Sequence, residues 1–235
     1  MVVEIFSIVR DQEHILPLYF KHYNEIFDNP IFNIYDNGSI DNSIKICKEQ
    51  KNCNITKVSY SKYINEINVT GLGTEDNKGW YGTIGDIQDY LEFNKNAHAF
   101  INSREYSPDA DWICMIDPDE LIQITSDELS KEKADVIRFT GYQMVNKDKL
   151  NLDELTLGYK DYRYNKPVLF RSTVDINFTM GAHDANPVNK NGEEIKWSEP
   201  FDKEFNYKYK LLHYSRKWMD LSIYEMFNTP IEKIK

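Results

Sequence analysis

Two apolar runs of strand length, VVEIFSIV at residues 2 to 9 and IFNIY at 31 to 35, are separated by ILPLYFKHYNEIF, 15 to 27, whose apolar residues recur at helical spacing. Pro17 is tolerated there because it falls in the first helical turn. A strand, one helix and a second strand in succession make a unit that closes with its strands parallel. The alternation continues with SIKICKEQK as a helix and ITKVSY, 55 to 60, as a third strand. An irregular loop over 64 to 85 follows, containing five glycines and ending in GWYGTIG. Apolar residues Ile87, Tyr90, Leu91, Phe93, Ala97, Phe100 and Ile101 then predict a long helix over about 86 to 104, which Pro108 ends before the strand WICMI. DVIRFTGYQM at 135 to 144, PVLFRS at 167 to 172 and KYKLLHYS at 208 to 215 read as further strands. The expected fold is α/β: a mostly parallel twisted sheet flanked by helices, with a small antiparallel addition in the C-terminal half, in one domain.

With 235 residues and 41% apolar content the chain can bury a core without staples, and no apolar run approaches the roughly 20 residues that span a bilayer. MVVEIFSIVRDQEH lacks the basic start and unbroken apolar stretch of a signal peptide. Cys47, Cys53 and Cys114 show no metal-ligand spacing, and their odd number points to a reducing, cytoplasmic setting. The net charge of −10, without a basic run, argues against a nucleic-acid partner. An acidic chain that handles a phosphorylated small molecule recruits a cation to bridge the like charges.

The stretch WICMIDPDELI, 112 to 122, runs five apolar residues into Asp117, Pro118, Asp119 and Glu120. One reading is a helix start, with Asp117 as N-cap, Pro118 at N1 and Glu120 closing a capping box. The other is a pair of carboxylates, Asp117 and Asp119, that hold a hard divalent cation. Arg10-Asp11 and Asp36-Asn37-Gly38-Ser39 end two other expected strands. If these strands are parallel, all three clusters leave the same edge of the sheet, where α/β sheets bind ligands. Carboxylates gathered around one crevice repel unless they share a cation or hydrogen-bond a ligand.

These segments resemble the family 2 type glycosyltransferases of the GT-A fold. The resemblance rests on IVRDQEHILPLYFKHY with Glu13 and His22, on NIYDNGSIDNS with Asp36 and Asp41, and on DWICMIDPDELI, and more weakly on FRSTVDINFTMGAHDA and LLHYSRKW, over about residues 3 to 218. The first turn reads Arg-Asp-Gln-Glu where many relatives have Asn-Glu. What the resemblance implies is a Rossmann-like nucleotide-binding half, about 1–122, and an acceptor-binding half, about 123–235. It further implies transfer of a sugar from a nucleoside diphosphate donor, UDP-linked, to a glycan or other hydroxyl acceptor, with inversion and with Mn2+ or Mg2+. On that footing Arg10, Glu13, Asp36, Asn37, Lys95, Asn96 and Asp117 face the donor, and Asp117, Asp119 and His213 face the metal or its diphosphate. Asp36 would hydrogen-bond the uracil or ribose, or else serve as an Asx-turn residue. Lys95 and Asn96 match a donor-contacting pair, or lie on a solvated helix face. Trp80 and Tyr81 could stack on a ring or close a core. His22 is expected near a helix end, and Glu120 in the capping box. Asp184, in the small-residue turn GAHDANP, is the expected base, with His183 orienting the acceptor and Glu199 as second choice.

Other classes fit less well. A methyltransferase or a nucleotidyltransferase would need a glycine-rich turn after the first strand, and VRDQEH has none. The remaining alternative is a catalytically inactive domain of the same fold that binds a nucleotide or glycan.

Overall fold

The computed structural model describes residues 1–36, 38–57, 107–146, 151–178, 185–200, 206–214 and 231–234. β1 (Val3–Val9), β2 (Ile31–Asp36), β3 (Cys53–Lys57) and β4 (Trp112–Met115) lie parallel in the order β3-β2-β1-β4, as the alternation requires. Helix α1 (Leu16–Ile26) joins β1 to β2, and α2 (Ser43–Lys48) joins β2 to β3. Side chains alternate strictly across this sheet. Val3, Ile5, Val9, Trp112, Cys114 and Ile116 enter one core, and Phe6, Ile113 and Met115 enter the other.

The first core also takes Leu16, Tyr19, Phe20 and Tyr23 from α1, whose three rings pack edge-on or tilted against each other and Phe32 at centroid distances of 4.9–5.8 Å. Burying each such ring contributes about 1.5–3 kcal/mol. It is a shared core, because Leu121 and Ile122 of β5 (Glu120–Gln123) and Leu211 and Leu212 of a later strand belong to it as well. Helix α3 (Ser126–Ser130) follows β5 and carries a true capping box between Thr125 and Glu128.

The run expected as one strand over 135 to 144 divides between sheets. β6 (Val136–Ile137) stays in the first sheet and β7 (Thr140–Val145) enters the second. At the step between them, Phe139 N donates to Lys166 O (3.2 Å) and Thr140 N to Tyr209 O (2.8 Å). The switch is imposed by these tertiary bonds, which the sequence of the run, with Arg138 between Ile137 and Phe139, does not announce. β8 (Leu157–Lys160) pairs antiparallel with β7, and β9 (Leu169–Arg171) lies antiparallel between β4 and β6. β10 (Val174–Phe178) and β11 (Ala185–Asn189) form a separate hairpin whose Val174, Ile176 and Ala185 join the second core. β12 (Lys210–His213) runs parallel to β7 and antiparallel to β5, and β13 (Glu232–Lys233) closes the second sheet beside β8. No helix among the described residues is long and apolar enough to cross a membrane.

Helix α1 ties the sheets together by its polar tips. Ser7 Oγ donates to Ile116 O (2.6 Å), so the hydroxyl of Tyr19, 2.7 Å away, donates to Ser7. Tyr23 OH donates to Glu120 O (3.0 Å), and His22 Nε2 meets Ile122 O at 2.8 Å. His22 therefore sits inside the helix, not at its end, because its ring is needed against β5. Residues 117–119 are thus bracketed by the hydroxyl of Ser7, itself held by Tyr19, on one side and by the hydroxyl of Tyr23 on the other. Replacing Tyr23 by Phe keeps the ring and strips a donor from a buried carbonyl, so urea unfolding should report a loss of about 1–3 kcal/mol.

Candidate active site

Parallel pairing brings the expected strand ends together. Asp36 stands beside Val9, and Met115 beside Phe6, so the turns after β2 and β4 flank β1 one strand spacing away on each side, about 5 Å each. The connection from β1 leads to β2, and β4 lies on its other side. The strand order therefore reverses between β1 and β4, and the crevice beyond such a reversal is where ligands bind.

The turns after β1 and β2 are laced to each other. Asp11 N donates to Ser39 Oγ (3.2 Å), and Ile40 N donates back to Asp11 Oδ1 (2.8 Å). Gln12 N donates to Ser43 Oγ (2.7 Å) and Glu13 N to Asp41 Oδ2 (3.0 Å). Both the backbone and side-chain amides of Asn42 donate to Glu13 Oε2, at 3.0 and 2.7 Å. Asp11 adopts φ +51°, a left-handed conformation that Asp tolerates better than most residues. Burial pushes the Asp41 carboxyl up, but its bonds from Ser43 and from the Glu13 N–H together outweigh that and hold it below its ordinary range. One oxygen of the Glu13 carboxylate is thus occupied by the lacing. Asp36 is buried and accepts Ser39 N, three residues on, through Oδ1 (2.8 Å), which ties down the turn after β2. Arg10 lies 4.0 Å from Asp11 and is 40% exposed.

At the third turn the capping-box expectation for Glu120 fails. Glu120 opens β5, not a helix, and its carboxylate is 1% exposed against Lys166, whose Nζ donates to Oε1 at 2.5 Å. The strand forms because Glu120 pairs with His213 and Leu121 with Leu212, extending the second sheet. Lys166 also lies 3.7 Å from Asp117, whose side chain is 57% exposed. Burial pulls the Lys166 ammonium down, but Glu120 and Asp117 outweigh it and hold it above the ordinary lysine range. Burial, reinforced by the charges of Asp117 and Asp119, pushes Glu120 up to about 7 against the pull of Lys166. Sequence reading missed Lys166, since a lysine before an apolar run carries no signal of a buried cation.

His213, at the end of β12, lies with Nε2 3.5 Å from Asp119 Oδ2. The Gln143 amide donates to His213 O (3.1 Å), which fixes its oxygen as acceptor of Nδ1–H at 2.6 Å. Nε2 is then left facing the carboxylate. It either carries a second proton or presents a lone pair beside an anion, the latter being an arrangement that a shared cation stabilises. Burial alone would raise the Asp119 pKa, but the hydrogen bond and charge of His213 and the charge of Lys166 hold it below the carboxylate norm. Tyr164 stacks on His213 at 3.9 Å, and Gly141 makes room for it: a Cβ there would stand 2.6 Å from Tyr164 O.

Two carboxylates and an imidazole suit Mn2+ in donor chemistry, and the site fits such an ion in that sense. Among the described residues no group of three His, Cys, Asp or Glu is close enough to hold a metal alone, so ligand oxygens would have to complete its shell. Asn37, Trp80, Tyr81, Lys95, Asn96, His183 and Asp184, with the expected loop over 64 to 85 and helix over 86 to 104, lie outside the described residues. Glu199 lines a cavity at the edge of the first sheet, away from the acidic turn.

No family model matches the chain, and no curated protein matches its sequence. Among solved structures, a 1–349 fragment of Staphylococcus aureus TarS aligns at 12% identity with a TM-score of 0.40, covering 91% of this chain and 60% of that one. The galactosyltransferase LgtC, solved with donor and acceptor sugar analogs, aligns at 11% identity over 58% of this chain and 46% of its own, with a TM-score of 0.34. Mouse xyloside xylosyltransferase 1 aligns at 11% identity over 60% and 53%, with a TM-score of 0.30. The chain thus spans less than two thirds of each, and its chemistry is argued from its own residues.

Lys166→Met leaves Glu120 buried without its cation and should cost about 3–5 kcal/mol in chemical denaturation, whereas Lys166→Met combined with Glu120→Leu should recover most of that loss.

Proposed function

We propose that this chain transfers a sugar from a nucleoside diphosphate sugar, UDP-linked, to a hydroxyl acceptor with inversion, in a GT-A-type crevice that uses Mn2+ or Mg2+. The observation that carries this reading is the gathering of Asp36, Asp11 and Asp117-Asp119 at the carboxyl ends of three adjacent parallel strands, with His213 supplied from the second sheet. Resemblance of the Asp-Asn-Gly-Ser-x-Asp and Asp-x-Asp-Glu segments to family 2 type glycosyltransferases supports it.

In this reading Asp36 binds the nucleoside through Oδ2, while Gly38, with φ +78°, lets the backbone turn so that Ser39 N reaches Oδ1. Asp119 and His213 would hold the cation directly and Asp117 more loosely, and such an ion, when bound, would supply positive charge against the diphosphate leaving group. Asp184 removes the acceptor hydroxyl's proton and His183 orients the acceptor.

Calorimetry of UDP with Mn2+ and with EDTA tests the metal. Binding should require the ion and should be lost in Asp119→Asn, and equal affinity in EDTA would refute the metal role. Asp36→Ala should remove a charge-assisted bond worth about 1.5–3 kcal/mol while leaving the fold intact. Asp184→Asn should keep donor affinity but lower transfer by about 100-fold or more. Donor binding without any transfer in the unmodified chain would favour a binding module.

A further inference from the structure

Cys47 lies on the buried face of α2, next to its last residue, and Cys53 opens β3 after a short turn. That turn is fixed at both ends. Gln50 N donates to Cys47 O (3.1 Å), and Phe32 N, which stands beside Cys53 in the sheet register, donates to Asn52 O (2.7 Å). Cys47 is buried in the first core, and the partly exposed Cys53 packs against the same core. The two side chains meet there in a thiol–thiol hydrogen bond.

The bond treats its partners unequally. As acceptor of the Cys47 S–H, Cys53 is held below the ordinary thiol range, against an opposing push from burial. Cys47 is held above that range, first because ionising it would forfeit the bond, then by burial and by the charges of Cys53 and Asp36. Cys114 of β4 is fully enclosed, and burial pushes it up as well. A cysteine that only fills core space is inert, as Cys114 is placed to be. A solvent-reachable sulfur that leans toward thiolate and touches a second sulfur is instead the arrangement in which oxidation ends in a disulfide.

We propose that Cys53 is a hydroperoxide-reactive thiol and that Cys47 resolves it to an intramolecular disulfide. The Cys53 thiolate attacks one peroxide oxygen, so that an S–O bond forms, the O–O bond breaks, and the departing oxygen takes a proton from solvent to leave as alcohol or water. The sulfenic acid carries no charge, which removes part of what held the Cys47 proton. The Cys47 sulfur then bonds to Cys53, the S–O bond breaks, and the Cys47 proton leaves with the hydroxide as water. Each sulfur gives up one electron and the peroxide bond takes both. Sulfurs already in contact have little distance to close to the roughly 2.05 Å of a disulfide. The pair does not rest on the reading of the donor crevice.

Trypsin cuts after Lys45, Lys48, Lys51 and Lys57, which places Cys47 on ICK and Cys53 on NCNITK. The test treats the full chain with hydrogen peroxide at neutral pH, caps remaining thiols with iodoacetamide in denaturant, and reads the digest by mass spectrometry. The expected product is the two peptides joined, from monomeric chain, parted again by dithiothreitol, with Cys114 capped. Dimedone should label Cys53 in Cys47→Ser, and Cys47 should stay capped and unoxidised in Cys53→Ser. Before oxidation, iodoacetamide should modify Cys53 of the folded chain at least about 10-fold faster than Cys47 or Cys114. No joined peptide, a joint that includes Cys114 or occurs only in covalent dimers, or ready oxidation of Cys47 in Cys53→Ser would overturn the pair. Absence of dimedone label in a Cys47→Ser chain that keeps its unfolding midpoint would overturn Cys53 as the reactive thiol.

Discussion

A lysine ammonium shut between carboxylates holds the two sheets in register. Lys166 precedes β9 of the first sheet, and Glu120 opens β5 of the second, so their contact at 2.5 Å spans the junction. The Lys166 carbonyl accepts Phe139 N at the point where the chain crosses from one sheet to the other. Desolvating both charges is expensive, and hydrophobic replacements of matched shape would serve stability as well. What the ion pair adds is position. It places a fixed positive charge below Asp117 and Asp119, partly offsetting a repulsion that would otherwise fall on the crevice.

The crevice consequently draws on both sheets. Asp11, Asp36 and Asp117 come from consecutive parallel strands, whereas His213 reaches Asp119 only because β12 pairs with β5. Gln143, one strand further on, orients the ring, and Tyr164 covers its face across the gap left by Gly141. A charged group and its orienting partners on separate strands move little relative to one another, which is the condition for preorganised charge stabilisation.

The parallel half was legible because β-branched runs and one helical period leave a single closure for the chain, and β1, β2, β3 and β4 follow it. The meeting of Asp11, Asp36 and Asp117 at one edge followed from that closure. Lys166 and Gln143 were not legible: their roles come from long-range pairing, and nothing local marks a lysine or glutamine as buried. Glu120 was misread because Asp-Pro-Asp-Glu satisfies helix-start chemistry locally, and pairing with β12 decided for strand. His22 was misplaced for a related reason, since its partner is a carbonyl 100 residues away.

The lacing between the turns after β1 and β2 has a consequence for how this protein can change. Asp11, Gln12 and Glu13 exchange hydrogen bonds with Ser39, Ile40, Asp41, Asn42 and Ser43 in a register that admits no slack. An inserted or deleted residue in either turn would shift every partner in the other. The two segments therefore act as one cassette fixed in length, and transplanting one into another scaffold requires carrying both.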